Sequence, residues 1–334
     1  MPLQYLHLSR LERNSHNGDI SVTSRSECNA VDGPAYSLFE QAKSALNRSA
    51  GKQFGFFNAD SEHQQLAGLI NNWLAQALDF AGFASRSAQL LEQQLLPTEE
   101  PFSALLLTAS ETLAGRHYLY WLWLPEQDIM QTGSDLAPYS ARMIAADKLQ
   151  YALRLCVDEW QDSDSPKYLC CYASRGNKAF SEAFGRFGNF SEGLDTGEQT
   201  RAFLELVDDY SRQLPQEQAQ PAKSLILDYC IEQDRIGQPV SLETLSGQLS
   251  SEQPAEFARY VRQHQQQPLE EIHTHRPSLK RYMRFFGRDD SLSISFSAER
   301  IGRDIVYDTA SGALHIQQLP ASLKTQLRDA AQKK

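Results

Sequence analysis

The sequence predicts an α+β protein: an N-terminal mixed α/β-sheet domain with long helices, and a smaller C-terminal domain of helices and a three-stranded β-meander. Three observations predict it. Between Leu66 and Ala81 apolar residues recur at three- and four-residue steps, the pattern of a helix that packs one face on a core. Two apolar runs, 102–109 and 117–124, flank Leu113-Ala-Gly115 and read as a β-hairpin. The Gln- and Pro-rich stretch Leu214–Pro221 then marks a boundary, giving domains 1–214 and 215–334.

Each element follows from local pattern. Residues 3–12 and 20–26 alternate as paired strands across the turn-rich Asn14–Gly18. Pro34 opens a helix with Leu38, Phe39, Ala42 and Leu46 on one side. Gln53–Phe57 is a short strand, and the Leu66 pattern continues as one helix or a helix pair to Pro97. In the hairpin, Trp121 and Trp123 share one face and Tyr118 and Tyr120 the other, as sheet-packing aromatics do. Strands are expected at 149–157 and 167–172, with the acidic stretch Asp158–Asp164 as a solvated loop between them. Helices follow at 179–187 and 198–213.

In the C-terminal part a helix runs through Leu225, Tyr229 and Ile236 to Gly237-Gln-Pro239. Ser241 caps a short helix to Leu249, and 254–267 form another. A basic helix at 276–286 precedes meander strands at 292–296, 304–307 and 314–317, and a last helix starts near Ala321. No internal repeat is visible.

Composition excludes several classes. With 41% hydrophobic and 22% charged residues, the 334-residue chain can bury a real core. No apolar run approaches the ~20 residues that span a bilayer. The N-terminal segment lacks the basic start and apolar stretch of a signal peptide, so a cytoplasmic location is expected. The five cysteines are odd in number and irregularly spaced, which argues against a disulfide framework. Neighbouring Cys170 and Cys171 point to opposite faces of a strand and suit burial better than metal binding.

Charge is the informative feature. The chain carries a net −10, yet residues 276–334 hold 11 Lys+Arg against 6 Asp+Glu, a balance of +5, and residues 1–275 a balance of −15. At 100° per residue, Leu279, Tyr282, Met283 and Phe286 fall within about 100° of one another, forming a face that docks. Arg276, Lys280, Arg284 and Arg288 advance by fours on the opposite half, with Arg281 beside them. Arg300 and Arg303 flank the next strand and extend the row if the meander folds back. Cations in a line suit the phosphates of DNA, where they release condensed counterions. The alternative is a solvated face that balances the acidic body, with Arg284 and Arg288 favoured by a helix C-terminus.

A second candidate is Arg175 and Lys178, followed by Phe180, Phe184, Arg186, Phe187 and Phe190, a basic and aromatic mixture that can suit stacked bases. At helical spacing those phenylalanines also read as core. Enzyme motifs are absent: no Walker loop, dinucleotide fingerprint, GxSxG or HExxH. His273 and His275 lack a third ligand for zinc, and Asp208 and Asp209 diverge on a helix, so neither catalysis, cofactor nor metal is expected. Residues 241–267 have the rhythm of a helix-turn-helix, but Glu243, Glu252 and Glu256 there argue against major-groove readout.

The sequence resembles the bacterial nucleoid-associated proteins of the NdpA (YejK-like) type. The resemblance is carried by Arg276-Pro-Ser-Leu-Lys280, Phe285 with Gly287, Ser291–Phe296, Arg303–Asp308 and Leu314-His-Ile316, and upstream by Tyr168-Leu169, Arg175–Lys178, Ser191–Leu194 and Val207–Tyr210. It covers most of the chain, least securely residues 1–60. What it implies is a cytoplasmic, nucleoid-located, non-catalytic protein that binds DNA, double-stranded or single-stranded, with little sequence preference. The other reading it leaves open is a protein-interaction adaptor brought to the nucleoid by a DNA-bound partner such as a DNA-topology enzyme. A homo-oligomer is compatible with the sequence.

Overall fold

The computed structural model describes residues 3–58, 64–162, 165, 167–265, 270–301 and 303–332. They form two compact units, one of residues 1–198 with 232–239 and one of 199–231 with 240–334. The first change of unit therefore falls at Glu198/Gln199, ahead of the Leu214–Pro221 stretch.

The first unit runs β1 (Leu3–Arg13), β2 (Ser21–Ser24), α1 (Gly33–Arg48), β3 (Gln53–Phe57), α2 (Gln65–Leu74), α3 (Phe80–Leu95), β4 (Phe102–Leu113), β5 (Arg116–Thr132), β6 (Pro138–Ile144), β7 (Tyr151–Cys156), α4 (Val157–Gln161), β8 (Leu169–Ala173), α5 (Lys178–Gly188) and β9 (Phe190–Leu194). Among the described residues these strands make one nine-stranded sheet in the order β2-β1-β4-β5-β7-β8-β3-β9, with β6 pairing the far end of β5. The alternation along β5 sets the layers. Leu119, Trp121 and Trp123 face a core with Leu66 and Ile70 of α2, Phe83 and Leu91 of α3, and Phe184 and Phe187 of α5. Tyr118, Tyr120 and Leu122 face the other core, with Phe39, Ala42 and Leu46 of α1. Each large apolar side chain removed from water contributes about 1.5–3 kcal/mol.

Local chemistry explains the turns. Ala114 and Gly115 both take positive φ (52° and 80°), the backbone that a tight two-residue hairpin requires. The Leu66–Pro97 pattern is a helix pair: the chain breaks at Gln76 (φ 58°), and Asp79 restarts it by accepting a hydrogen bond from the Gly82 N–H at 2.7 Å. The acidic stretch after β7 differs from the expected loop. It opens as α4, where Asp158 accepts from the His117 N–H at 2.6 Å and Glu159 pairs with Arg116 at 2.8 Å. Residues 163 and 164 of that stretch lie outside the described residues.

The second unit runs α6 (Thr196–Gln213, its first residues in the first unit), α7 (Gln216–Ile236, its last residues in the first unit), β10 (Val240–Ser241), α8 (Leu242–Leu249), α9 (Glu256–His264), β11 (Glu271–Ile272), α10 (Arg276–Met283), β12 (Arg284–Arg288), β13 (Ser293–Ser297), β14 (Ile305–Asp308), β15 (Ala313–Ile316) and α11 (Ala321–Gln332). Its core joins Phe203 and Val207, Ile226 and Cys230, Leu245, Phe257, Val261 and Leu279. Ser241 caps α8, accepting from the Thr244 N–H at 3.3 Å. Residues 266 and 267 of the helix expected at 254–267 fall outside the described residues. The meander is present and has one strand more than expected. Its strands pair as two successive hairpins, β12 with β13 and β14 with β15.

Candidate nucleic-acid interface

The basic helix expected at 276–286 ends at Met283, and Arg284 to Arg288 are a strand. Phe285 and Phe286 favour extended backbone, Gly287 disfavours a helix, and β13 lies in register to accept the pairing. The cation row at helical steps therefore stops at Lys280.

The anchoring of α10 follows the expected apolar face only in part. Leu279 is buried, and Tyr282 and Met283 pack at the edge of the core. The Tyr282 hydroxyl donates to Asp208 Oδ1 at 2.5 Å, and Lys223 Nζ reaches the same oxygen at 2.7 Å. Burial, then the Asp208 carboxylate, push the Tyr282 phenol well above its ordinary pKa. Lys223 also sits 4.7 Å from the Tyr282 ring centroid. At the helix start, Thr200 Oγ1 accepts from the His275 N–H at 2.8 Å. Asp208 is thus a structural anchor, and its neighbour Asp209 pairs with Arg212 at 2.7 Å.

The β12–β13 ribbon has two unlike faces. Directly opposed residues share a face. One face carries the register pairs Arg284–Ser297, Phe286–Ser295 and Arg288–Ser293, so Phe286 falls at a strand position and not on the helix face expected for it. Arg284 Nε and Nη2 donate to Ser295 Oγ at 3.3 and 3.1 Å, which holds the guanidinium across the ribbon. The other face carries Phe285 opposite Phe296 and Gly287 opposite Ile294. The turn between the strands is acidic: Asp289 accepts from the Ser291 and Leu292 N–H groups at 2.8 and 2.7 Å, which hold its carboxyl below the usual range, and Asp290 is exposed.

The remaining basic residues divide by what they already hold. Lys280, Arg281 and Arg288 are exposed and, among the described residues, meet no carboxylate. Arg276 is half-buried at the start of α10. Arg300 sits in a short turn at Ala298–Arg300, ion-paired with Asp304 and donating to the Gln318 carbonyl at 2.9 Å. Arg303, exposed, shares an open recess with Arg300, Ser297 and Gln317. Arg175 and Lys178 belong to the first unit; Arg175 is exposed in the turn before α5, and Lys178 pairs with Glu182 at 3.6 Å. Phe180, Phe184 and Phe187 beside them are core residues. The helix pair α8–α9 shows its one half-buried arginine, Arg262, bound to Glu243 and Glu270 at 2.5 and 2.9 Å.

What sequence reasoning missed is the serine face. Its signal was present as Ser293-Ile-Ser-Phe-Ser297, a period-two alternation.

A family model described as Nucleoid-associated protein YejK matches residues 8–324. A nucleoid-associated protein of Pseudomonas putida (strain GB-1) is 26% identical over 331 residues, covering 98% of this chain and 99% of its own. One of Pseudomonas syringae pv. tomato is 27% identical over 331 residues, with coverage of 98% and 99%. One of Pseudomonas paraeruginosa is 29% identical over 280 residues, covering 83% and 82%. The match takes in the large sheet, the helical core and both C-terminal hairpins, so the chain belongs to the YejK family of nucleoid-associated proteins.

Proposed function

We propose that this protein binds DNA with little sequence preference and without catalysis, at the cytoplasmic nucleoid, through phosphate contacts from α10 and the β12–β13 ribbon. One observation carries the reading: in a chain of net charge −10, Lys280, Arg281 and Arg288 stay exposed and meet no carboxylate among the described residues. An acidic protein has abundant carboxylates to neutralise them, and Arg262 and Arg300 show that it does so elsewhere. Serines opposite Arg284 and Arg288 add short hydroxyl donors that suit phosphate oxygens of any sequence.

The test is a salt series on a duplex. Contact with about four phosphates gives a slope of log affinity against log salt of roughly −4. Replacing Lys280, Arg281 and Arg288 with Ala is expected to weaken binding and flatten the slope by about 3. Unchanged affinity and slope in that variant would falsify the assignment.

A second reading, an adaptor recruited by a DNA-bound protein such as a topology enzyme, draws on the β5–β6 arm. Met130, Leu136, Tyr139 and Met143 are all exposed there, on a ribbon that extends beyond the main sheet. It predicts a purified protein that fails to bind duplex at low salt.

A further inference from the structure

The apolar face of the β12–β13 ribbon has no role in the core. Phe285 is 51% exposed, and its ring centroid lies 5.5 Å from that of Phe296 at an interplanar angle of 34°. Beside it on the same face stands Gly287, where an added Cβ would meet no atom within 4 Å. The space at Gly287 is therefore open on this face, and half of Phe285 faces solvent, which leaves room for a planar group beside the ring. Leu292 at the turn is also exposed.

The charge around this face selects its occupant. Arg284 and Arg288 stand on the reverse of the same ribbon, and Arg281 precedes it. Among the described residues β12 pairs with β13 alone, so its outer edge has no strand partner there. A two-stranded ribbon is one backbone thick; Arg284 stays held across it by Ser295, while the exposed Arg288 has a stem long enough to reach the edge. An exposed aromatic among cations that meet no carboxylate is the combination that holds single-stranded nucleic acid: phosphates on the guanidinium groups, bases on the rings. An acidic peptide would match the cations, but it leaves the ring without a planar partner.

We propose that Phe285, backed by Phe296 and cleared by Gly287, is a stacking platform for unpaired bases of single-stranded DNA. The platform rests on the DNA-binding reading above and narrows it. Duplex DNA keeps its bases paired and meets only the cations, while a single strand meets both.

The experiment compares full-length protein and its Phe285→Ala and Phe285→Trp variants by fluorescence anisotropy, on labelled oligo-dT and a labelled duplex of equal length. Phe285 is exposed, so the variants are expected to fold, and their unfolding midpoints check this. Phe285→Ala is expected to weaken oligo-dT binding about tenfold, with the salt slope and the duplex affinity unchanged. Phe285→Trp is expected to retain wild-type binding of oligo-dT. Equal losses on both ligands, or no loss on oligo-dT, overturn the platform while leaving the duplex reading intact. Wild-type protein that binds neither ligand sinks both. Unchanged binding together with a smaller sedimenting species in Phe285→Ala assigns the face to a second copy of the chain and overturns the proposal.

Discussion

Arg154 on β7 donates from Nη1 to the carbonyl of Gly237 at 2.8 Å, and the guanidinium lies 5.5 Å from the ring centroid of Tyr118. Gly237 follows the end of α7, and both residues belong to the first unit. Lys52 strengthens the same join, reaching the Asn47 carbonyl at 2.5 Å and Asp234 at 3.4 Å. Arg154→Met removes a charge-assisted donor from a half-buried carbonyl. The expected loss is about 2–3 kcal/mol, read as a lower urea midpoint at unchanged slope.

Gly237 is constrained from both sides. Its φ is +73°, and an added Cβ would sit 2.3 Å from Asn47 Oδ1 and 2.9 Å from Arg154 Nη1. Gly237→Ala is expected to cost more than the ~1 kcal/mol of an unfavourable φ alone, because the Arg154 contact moves as well. A thermal midpoint equal to wild type would contradict this account.

Acid should loosen the first unit through His7. Burial is the largest influence on its imidazole and pushes the pKa below the ordinary value, although a hydrogen-bonding distance of 2.9 Å to the Arg25 carbonyl acts in the other direction. The unfolded chain then binds this proton near pH ~6.5 while the folded one resists. The stability is therefore present above about pH 6.5 and lost as pH falls through the lower folded value. His7→Gln is expected to flatten the decline in unfolding midpoint on the acid side.

Alkali should act on the second unit through Tyr282. Its raised phenol keeps its proton in the folded state when the unfolded chain releases one near pH ~10. The stability it supplies is complete below that pH and lost as pH rises beyond it. Tyr282→Phe is expected to lose about 1 kcal/mol at neutral pH and to show a shallower alkaline decline than wild type. Parallel alkaline curves for the two proteins would show that the Tyr282–Asp208 bond does not govern this region.

Arg300 and Arg303 sit three residues apart and should differ in their effect on DNA. Arg300 is held by Asp304 and the Gln318 carbonyl, whereas Arg303 is exposed. Arg303→Ala is expected to reduce the salt slope by about 1, and Arg300→Ala by less. Anisotropy titrations at several salt concentrations check the order, and a larger effect at Arg300 reverses it.

The parts of the fold legible in sequence were those set by neighbours along the chain. The Ala114-Gly115 turn, Pro34 at the start of α1 and the Ser241 cap are local chemistry, and the alternating aromatics of β5 gave both faces of the sheet. Non-local pairing was not legible. β3 lies between β8 and β9, partners more than a hundred residues away, and β9 itself is a short Phe-Ser-Glu-Gly-Leu with weak strand preference. The same cause misplaced the cations. Residues 276–286 have a helical period throughout, but pairing with Ser293–Ser297 takes Arg284 and Arg288 into a strand. Charge was readable from composition, while which arginines were already neutralised depended on partners such as Asp304 and Glu243.

The acidic turn of Asp289 and Asp290 limits how the ribbon meets a double helix. In the proposed complex, carboxylates at the tip would be repelled by the walls of a groove, which favours seating the ribbon along the backbone rather than tip-first. A protein seated this way feels nearly the same energy at every base pair and can wander along the chromosome in one dimension. Its journeys would end where the two strands part, because there alone Phe285 adds a well to an otherwise level landscape.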